Sequence, residues 1–470
     1  MLLRHRLTLL TLIRSKSIFA LSSGPSPAAV SIIRISGPES KLVLQKISRS
    51  QKFDHRLMKY CEFYRQSGTL IDKGLAVYFK GPQSFTGEDS AEFFVHGSRA
   101  VVDMLLEELG RYPNLRAAGP GEFTKRAFFN GKLDLTQAEA LNDLILAETP
   151  AQLFLANRQS NISKKLQPIR EALLNFGAEL EANIDFGDDI QNQQGQCWKK
   201  RIKNEVKSLI TVVESMVGTA KKGILVRDGV KIALIGRTNV GKSSLMNKLA
   251  ERDVAIVSDI PGTTRDCLEL KIRMADLNVT LFDTAGIRET KDKLELEGIK
   301  RTRKSAEEAH LLVLVVAPAN VSPLNSVINE IKWLIESFPS TPKVILINKV
   351  DLLDSKVVDQ IKNALPHLKM AFVSCLTNSG ISSLISNLEL NVKDLTTIEE
   401  NEMVLSRERH LRLLEQAYES LENFVQNIDV DTAIAAEDLR ECAEVIGEIT
   451  GVISRESVLD KLFSSFCIGK

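Results

Sequence analysis

The residues that carry chemistry most openly form the run GRTNVGKSS, Gly236 to Ser244, directly after the apolar stretch KIALI. It satisfies the spacing G-x-x-x-x-G-K-S/T. In such a loop the glycines let backbone N–H groups wrap a phosphate chain, Lys242 neutralises the β- and γ-phosphates, and Ser243 offers its hydroxyl to Mg2+. A second run, DTAG (Asp283, Thr284, Ala285, Gly286), follows VTLF and puts a carboxylate near the metal and a flexible glycine near the γ-phosphate. A third, NKVD (Asn348, Lys349, Val350, Asp351), follows KVILI. An aspartate at that strand end accepts from both N1–H and the exocyclic amine of guanine, a pairing adenine cannot offer. Ser374-Cys375-Leu376 then falls where a backbone N–H would read guanine O6. Phosphate loop, metal carboxylate and guanine reader together imply a GTPase.

One helper is missing from this set. Ile287 follows the DTAG glycine, where Ras-like enzymes carry the glutamine that orients water. An isoleucine neither orients water nor stabilises charge. Asn239, inside the phosphate loop, could give its amide oxygen to a monovalent cation between the β- and γ-phosphates. The segment VSDIPGTTRD, Val257 to Asp266, would close over that cation and bring Thr264 to Mg2+. The expected nucleotide contacts are therefore Asn239, Val240, Gly241, Lys242, Ser243 and Ser244, then Ser258, Asp259, Ile260, Pro261, Gly262, Thr263 and Thr264, then the DTAG and NKVD residues with Ser374, Cys375 and Leu376.

Positioning these runs requires a particular scaffold. From Lys231 the chain alternates apolar strands (KIALIG, LFDTAG, LLVLVV, KVILINK) with helical stretches up to about Leu390, the signature of a parallel α/β sheet. Ahead of it, SIIRISG and LAVYFKGPQSFTGEDSAEFFVHG read as short strands separated by Gly/Pro turns, with a helix in AVVDMLLEELG, a compact α+β domain ending near Lys132. Between the two, Thr136 and Glu139 have the T-x-x-E spacing of a helix-capping box. Apolar residues recur at helical spacing from Leu141 toward Leu174. After Arg407 a stripe of Leu413, Leu414, Ala417, Leu421, Phe424 and Val425 is helical again. Either helical part alone would expose an apolar face. The α/β domain is therefore expected as an insertion into one split helical domain, with boundaries 18–131, 132–228, 229–393 and 394–470.

The chain has 470 residues, and 61 basic against 60 acidic side chains give a formal net charge of +1. That balance does not advertise nucleic-acid binding, which would need a local basic patch. Cys61, Cys197, Cys267, Cys375, Cys442 and Cys467 are scattered without a C-x-x-C pair, against a disulfide framework or a zinc site. No run of 18 apolar residues appears, so no membrane span is expected. From Met1 to Pro38 there is no acidic residue, while Arg4, Arg6, Arg14 and Lys16 stand among leucines, serines and threonines. Residues 1–17 read as a mitochondrial transit peptide and the matrix as the destination.

GRTNVGKSS, VSDIPGTTRD, DTAGIRET, NKVD and the terminal FCIGK, with IIRISG, GPQSFTGEDSAEFFVHG and GPGEFTKRAFFNGKLDLTQAEA near the start, resemble the MnmE (TrmE) family of tRNA-modification GTPases over nearly all of the chain beyond residue 17. The resemblance implies an N-terminal folate-binding domain that forms a homodimer, a split helical domain and an inserted GTPase domain. It also implies an FAD-dependent partner of the MnmG (GidA) family and modification of carbon 5 of the wobble uridine in certain mitochondrial tRNAs, with potassium-dependent hydrolysis. Arg34, Glu92, Lys132 and Lys470 match positions that bind a formyl- or methylene-tetrahydrofolate. Asn239, Ser258, Ile260 and Thr263 match the potassium site, and Glu295 matches a glutamate that arranges the attacking water. Cys467 matches a residue implicated in modification. The C-I-G-K ending suits prenyl transferases poorly. Ala317-Pro318 departs from the aspartate usual after that strand, which touches loop geometry and not the nucleotide. The alternative reading, on the GTPase motifs alone, is a ribosome-assembly GTPase acting as an RNA-binding switch.

The isoleucine at 287 generates a kinetic expectation. With no motif-placed arginine to reach the γ-phosphate, a cation held by Asn239 must supply the positive charge, a contribution of roughly 10²–10³ in rate. Steady-state GTP hydrolysis should be far faster in potassium than in sodium. Asn239→Ala should abolish that response while leaving GTP binding largely intact, and equal rates in potassium, rubidium and sodium would end the cation mechanism.

Overall fold

The computed structural model describes residues 16–185, 195–251, 269–283, 306–318, 323–339, 341–453 and 456–469. These fall into two compact units: Met1–Asn142 with Leu166–Glu171 and Ala443–Lys470, and Asp143–Lys165 with Ala172–Cys442.

The first unit is built on six strands: β1 Ser17–Leu21, β2 Ala28–Ser36, β3 Lys59–Tyr64, β4 Leu70–Phe79, β5 Ser90–Gly97 and β6 Leu115–Ala117. Their order is β3-β4-β5-β2-β1-β6, antiparallel except for the β1–β6 pair. Alternation divides the two faces. Phe19, Ile33, Ile35, Phe63 and Phe93 join one core with Val43, Leu44 and Ile47 of α1 (Ser40–Ser48) and Val102, Leu105 and Leu109 of α2 (Arg99–Gly110). Ile18 and Ala20 point to the other face and pack with Phe123 of α3 (Glu122–Phe129). By the same alternation, Arg34 and Glu92 lie on the face away from α1 and α2.

One buried charge fixes α3 to this sheet. Arg126 is 2% exposed. It donates to Glu88 (2.9 Å), to Glu122 (3.2 Å) and to the carbonyl of Lys16 (3.0 Å). Burial pushes the Glu122 carboxyl up, but hydrogen bonds from Arg116 and the Gly119 N–H, with the charges of Arg116 and Arg126, outweigh it and hold the group below the usual range.

The next helix, α4 (Leu135–Leu146), corrects one sequence expectation. Its cap is a reciprocal pair two residues earlier than Thr136 and Glu139. The Gln137 N–H donates to Asp134 Oδ1 (2.9 Å) and the Asp134 N–H to Gln137 Oε1 (3.0 Å). Thr136 and Glu139 are each 1% exposed inside the helix. Gln at the third helical position serves as well as Glu, and the apolar Leu135 between them carries the chain inward.

Helices α5 (Pro150–Gln159), α6 (Ile162–Asp185) and α7 (Gly195–Asp228) follow. The α/β part holds β7 Val230–Ile235, α8 Lys242–Ala250, β8 Glu269–Met274, β9 Leu277–Asp283, β10 Leu311–Val316, α9 Pro323–Ser337, β11 Lys343–Ile347, α10 Ser355–Ala364, β12 Met370–Phe372 and α11 Ile381–Thr396. The sheet order is β12-β11-β10-β7-β9-β8, parallel except for the β8–β9 hairpin. All six residues of β10 are buried, as a central strand covered on both faces requires. The chain closes with α12 Glu408–Asn427, α13 Thr432–Thr450 and α14 Glu456–Ser464. On α12, Leu413, Leu414, Ala417, Leu421 and Phe424 are buried and Val425 is half-buried, and the helix packs along α7. Leu459 and Phe463 of α14 join Leu135 and Ala138 in a separate small core. Among the described residues no helix is long and apolar enough to cross a membrane.

Replacing Arg126 should loosen the first unit. Arg126→Ala strands Glu88 without its counter-charge, while Glu122 keeps Arg116, a loss of about 3–5 kcal/mol. Hydrogen exchange of the β1–β6 sheet amides should accelerate accordingly, and unchanged protection would contradict the assignment.

Candidate functional site

The phosphate loop leaves β7 at Ile235 and enters α8 at Lys242. Asn239 (φ 64°) and Gly241 (φ 99°) both adopt left-handed backbone. Gly241 has a second constraint: a Cβ there would come within 2.1 Å of Asn348 Nδ2. That amide donates to the Val240 carbonyl (2.8 Å), and Lys349 Nζ donates to the Asn239 carbonyl (2.7 Å). The guanine loop is thus tied directly to the phosphate loop.

Lys242 is 7% exposed, and its ammonium donates to the carbonyls of Gly236 (3.0 Å) and Arg237 (3.1 Å). Burial pushes its pKa below the ordinary lysine value, with Asp283 acting in the opposite direction. Ser243 Oγ donates to Asp283 Oδ2 (2.6 Å), while buried Asp283 Oδ1 has no hydrogen-bond partner among the described residues. A hydroxyl beside a carboxylate with an unused oxygen fits a hard divalent cation such as Mg2+. Ser244 follows Ser243 within the first turn of α8.

On the guanine side, Asp351 accepts a hydrogen bond from Ser374 Oγ, and the Cys375 N–H donates to Asn348 Oδ1 (3.3 Å). The loop 374–376 therefore stands beside the NKVD loop. Burial pushes the Cys375 thiol up, so it acts here as packing; Leu376 is 84% exposed. Ser258, Asp259, Ile260, Pro261, Gly262, Thr263, Thr264, Thr284, Ala285, Gly286, Ile287 and Glu295 lie outside the described residues. A contact the motifs did not indicate is Glu330 of α9, 7% exposed and 3.5 Å from Arg237 Nε of the phosphate loop. Burial raises its pKa against the pull of Arg237.

The first unit carries its own cleft, about 280 Å³, lined by Arg34, Arg56, Gln83, Phe85, Glu92 and Lys132 among others. The β2–β5 register sets Arg34 opposite Glu92, and Arg34 Nε donates to Glu92 Oε1 (2.8 Å). The guanidinium also lies over the rings of Phe85 (5.3 Å) and Phe123 (5.8 Å). A carboxylate beside a planar cation and an aromatic ring suits a flat, hydrogen-bonding heterocycle. Arg56, in the left-handed region and donating to the Gln83 carbonyl, was invisible to motif reading because it stands in the unpatterned stretch DHRLM. Phe85 stands within GPQSFTGED, in the loop between β4 and β5, where no strand alternation marks the face it occupies.

The terminal segment is docked on the same unit. The Gly121 N–H donates to the Cys467 carbonyl (3.2 Å), Ile468 bridges Pro120, and Ser22 Oγ donates to the Gly469 carbonyl (2.9 Å). A Cβ at Gly469 would meet the Leu21 carbonyl at 2.1 Å. Cys467 is exposed and does not line the cleft; Lys470 lies outside the described residues. No group of three or more potential metal ligands occurs among the described residues.

The parallel sheet, the loop between β7 and α8 and the Asn348–Asp351 reader define the second unit's α/β part as a guanine-nucleotide-binding P-loop domain. Two family models match the chain: GTP-binding protein TrmE N-terminus at residues 17–132 and the MnmE helical domain at residues 135–467. The chain is 40% identical over 460 residues to the tRNA modification GTPase MnmE of Rickettsia canadensis (strain McKiel), covering 97% of this chain and 100% of the relative. It is 38% identical over 467 residues to the mitochondrial 5-taurinomethyluridine tRNA synthase subunit GTPB3 of Danio rerio, covering 97% and 93% respectively. The chain belongs to the MnmE (TrmE) family, and its activity is GTP hydrolysis in tRNA modification. That separates it from the ribosome-assembly alternative.

The guanine reader has a direct test. In Asp351→Asn the amide oxygen still accepts from Ser374, so the loop keeps its fold, but the amide nitrogen donates where guanine's amine also donates. GTP binding should weaken by about 1.5–3 kcal/mol and preference should shift to xanthosine triphosphate. Unchanged GTP affinity would sink the assignment.

Proposed function

We propose that this chain is a potassium-dependent GTPase that, with an FAD-dependent MnmG (GidA) family partner, modifies carbon 5 of the wobble uridine in a subset of mitochondrial tRNAs. The one-carbon unit comes from a tetrahydrofolate derivative. The observation that carries this reading beyond GTP hydrolysis is the cleft of the first unit, where Arg34 and Glu92 form a 2.8 Å pair beside Phe85 and Lys132. A pterin presents the same N–H and amine edge as guanine, so Glu92 accepts from it as Asp351 accepts from GTP. Arg34 and Lys132, with Lys470 from the tail, suit its carbonyls and carboxylates.

In the second unit Lys242 neutralises the β- and γ-phosphates, and Ser243 with Thr264 holds Mg2+, which shields charge on the phosphates. Asn239, Ser258, Ile260 and Thr263 take potassium, and Glu295 orients water. Cys467 belongs to the modification chemistry. Mitochondrial placement is supported by the acid-free leader and by the name of the Danio rerio relative. The N-terminal domains form the homodimer.

Mass spectrometry of mitochondrial tRNA nucleosides from cells lacking the chain tests the reading. The modified wobble uridine should disappear and return with the wild-type gene. Glu92→Gln should not restore it, because tetrahydrofolate binding loses a charged acceptor worth about 1.5–3 kcal/mol, yet its GTP turnover should persist. Normal wobble uridine in the deficient cells would overturn the proposal.

A further inference from the structure

The segment from Lys41 to Lys59 carries six cations, Lys41, Lys46, Arg49, Lys52, Arg56 and Lys59, against the single carboxylate of Asp54. This concentration stands in a chain whose formal net charge is only +1. Elsewhere in the first unit cations are commonly paired: Arg34 with Glu92, Arg65 with Glu107, Lys73 with Glu62, Arg116 with Glu122, Arg126 with Glu88. None of the six has a carboxylate within ion-pair distance among the described residues. Their partners are neutral. Lys41 lies over the ring of Tyr78 (5.3 Å), Lys46 over Tyr112 (5.7 Å), Arg49 over Tyr64 (4.1 Å) and Lys59 over Phe53 (5.5 Å). A ring fixes a cation's position without cancelling its charge.

The backbone adds an independent observation. Arg49 (φ 50°) caps α1 in the left-handed region, and Arg56 (φ 63°) repeats that conformation. Glycine or asparagine adopts it at lower cost than arginine. At both places a long cation stands where local folding favours a small residue. Arg56 turns to the cleft. The other five lie along α1, the turn after it and the first residue of edge strand β3, on the α1 side of the sheet and so on the opposite face from Arg34 and Glu92.

We infer that the surface formed by Lys41, Lys46, Arg49, Lys52 and Lys59 binds the phosphate backbone of the RNA substrate. The inference rests on the tRNA reading above. An unneutralised row of cations is the footprint of a polyanion, and tRNA is the polyanion on which this family acts.

The experiment titrates the full chain with an unmodified tRNA transcript by fluorescence anisotropy between about 50 and 200 mM salt, for wild type, Lys46→Glu/Arg49→Glu/Lys52→Glu and Arg49→Gly. The triple variant should lose at least about tenfold in affinity, and the slope of log K against log salt should fall by about 2–3. Its GTP turnover should stay at the wild-type rate. Arg49→Gly relieves the left-handed strain, so its melting temperature should equal or exceed wild type while RNA affinity falls, which separates recognition from folding. No RNA binding by wild type would defeat the tRNA reading itself; wild-type binding with an unchanged slope in both variants would defeat this inference alone. The inference also falls if the variants bind RNA normally but lose self-association in sedimentation, or lose retention on phosphatidylserine vesicles.

Discussion

The guanidinium of Arg126 is the constraint on which the first unit depends. At 2% exposure it has surrendered its hydration, a cost repaid only if several acceptors surround it. Glu88 comes from the loop between β4 and β5, Glu122 from its own helix, and the Lys16 carbonyl from the approach to β1. These three bonds place α3 against one face of the sheet, and two features of the unit then follow. Phe123 of α3 lies against the Arg34 guanidinium, so the helix backs a residue that lines the cleft. Gly121, with φ 61°, lets the backbone of Phe463 approach so closely that a Cβ would stand 2.5 Å from its carbonyl. That approach seats α14, and with it the terminal segment whose Cys467 carbonyl accepts from Gly121.

The second unit is organised by a neutral group. Asn348 is 2% exposed and uses both ends of its amide: the nitrogen on Val240 of the phosphate loop, the oxygen on the Cys375 N–H of the O6 loop. One side chain spaces the phosphate reader from the base reader. A nucleotide longer or shorter between base and phosphate would not satisfy both. On the proposed reading, selectivity has two parts, distance set by Asn348 and base identity set by Asp351.

What the sequence made legible follows from how far apart the cooperating residues stand. GRTNVGKSS, DTAG and NKVD are contiguous, so each displays its chemistry locally, and the all-apolar β10 declared a buried central strand. The β8–β9 hairpin did not declare itself. Its turn is Ala275-Asp276, both at positive φ (52° and 61°), the geometry that normally advertises itself as Asn-Gly. The cap of α4 stands two residues earlier than the T-x-x-E spacing suggests because Asp-x-x-Gln and Thr-x-x-Glu overlap there, and the reciprocal hydrogen bonds of Asp134 and Gln137 decide between them. Arg34 and Glu92 are 58 positions apart, so their pairing came from resemblance and their register from the sheet. Arg56 had neither.

The attachment of the α/β part to its helices belongs to this last class. Asp143, 10% exposed at its side chain, accepts on one oxygen from Arg227 (3.1 Å) and from Arg407 (2.7 Å). Arg227 precedes β7 and Arg407 precedes α12, so one carboxylate grips the chain both where it leaves the helices and where it returns. Helix α5 reinforces each crossing: Gln152 donates to the Arg227 carbonyl (2.8 Å), and Arg158 donates to the carbonyls of Glu399, Glu400 and Glu402. Gly223 completes the return crossing, since a Cβ there would come within 2.4 Å of the Leu405 carbonyl. An insertion joined by two unsupported linkers would pivot about them. Crossings pinned to the same side chain and the same helix share one root, and that root exists because Arg227 and Arg407, 84 and 264 positions from Asp143, converge on its carboxylate with all three side chains half-buried.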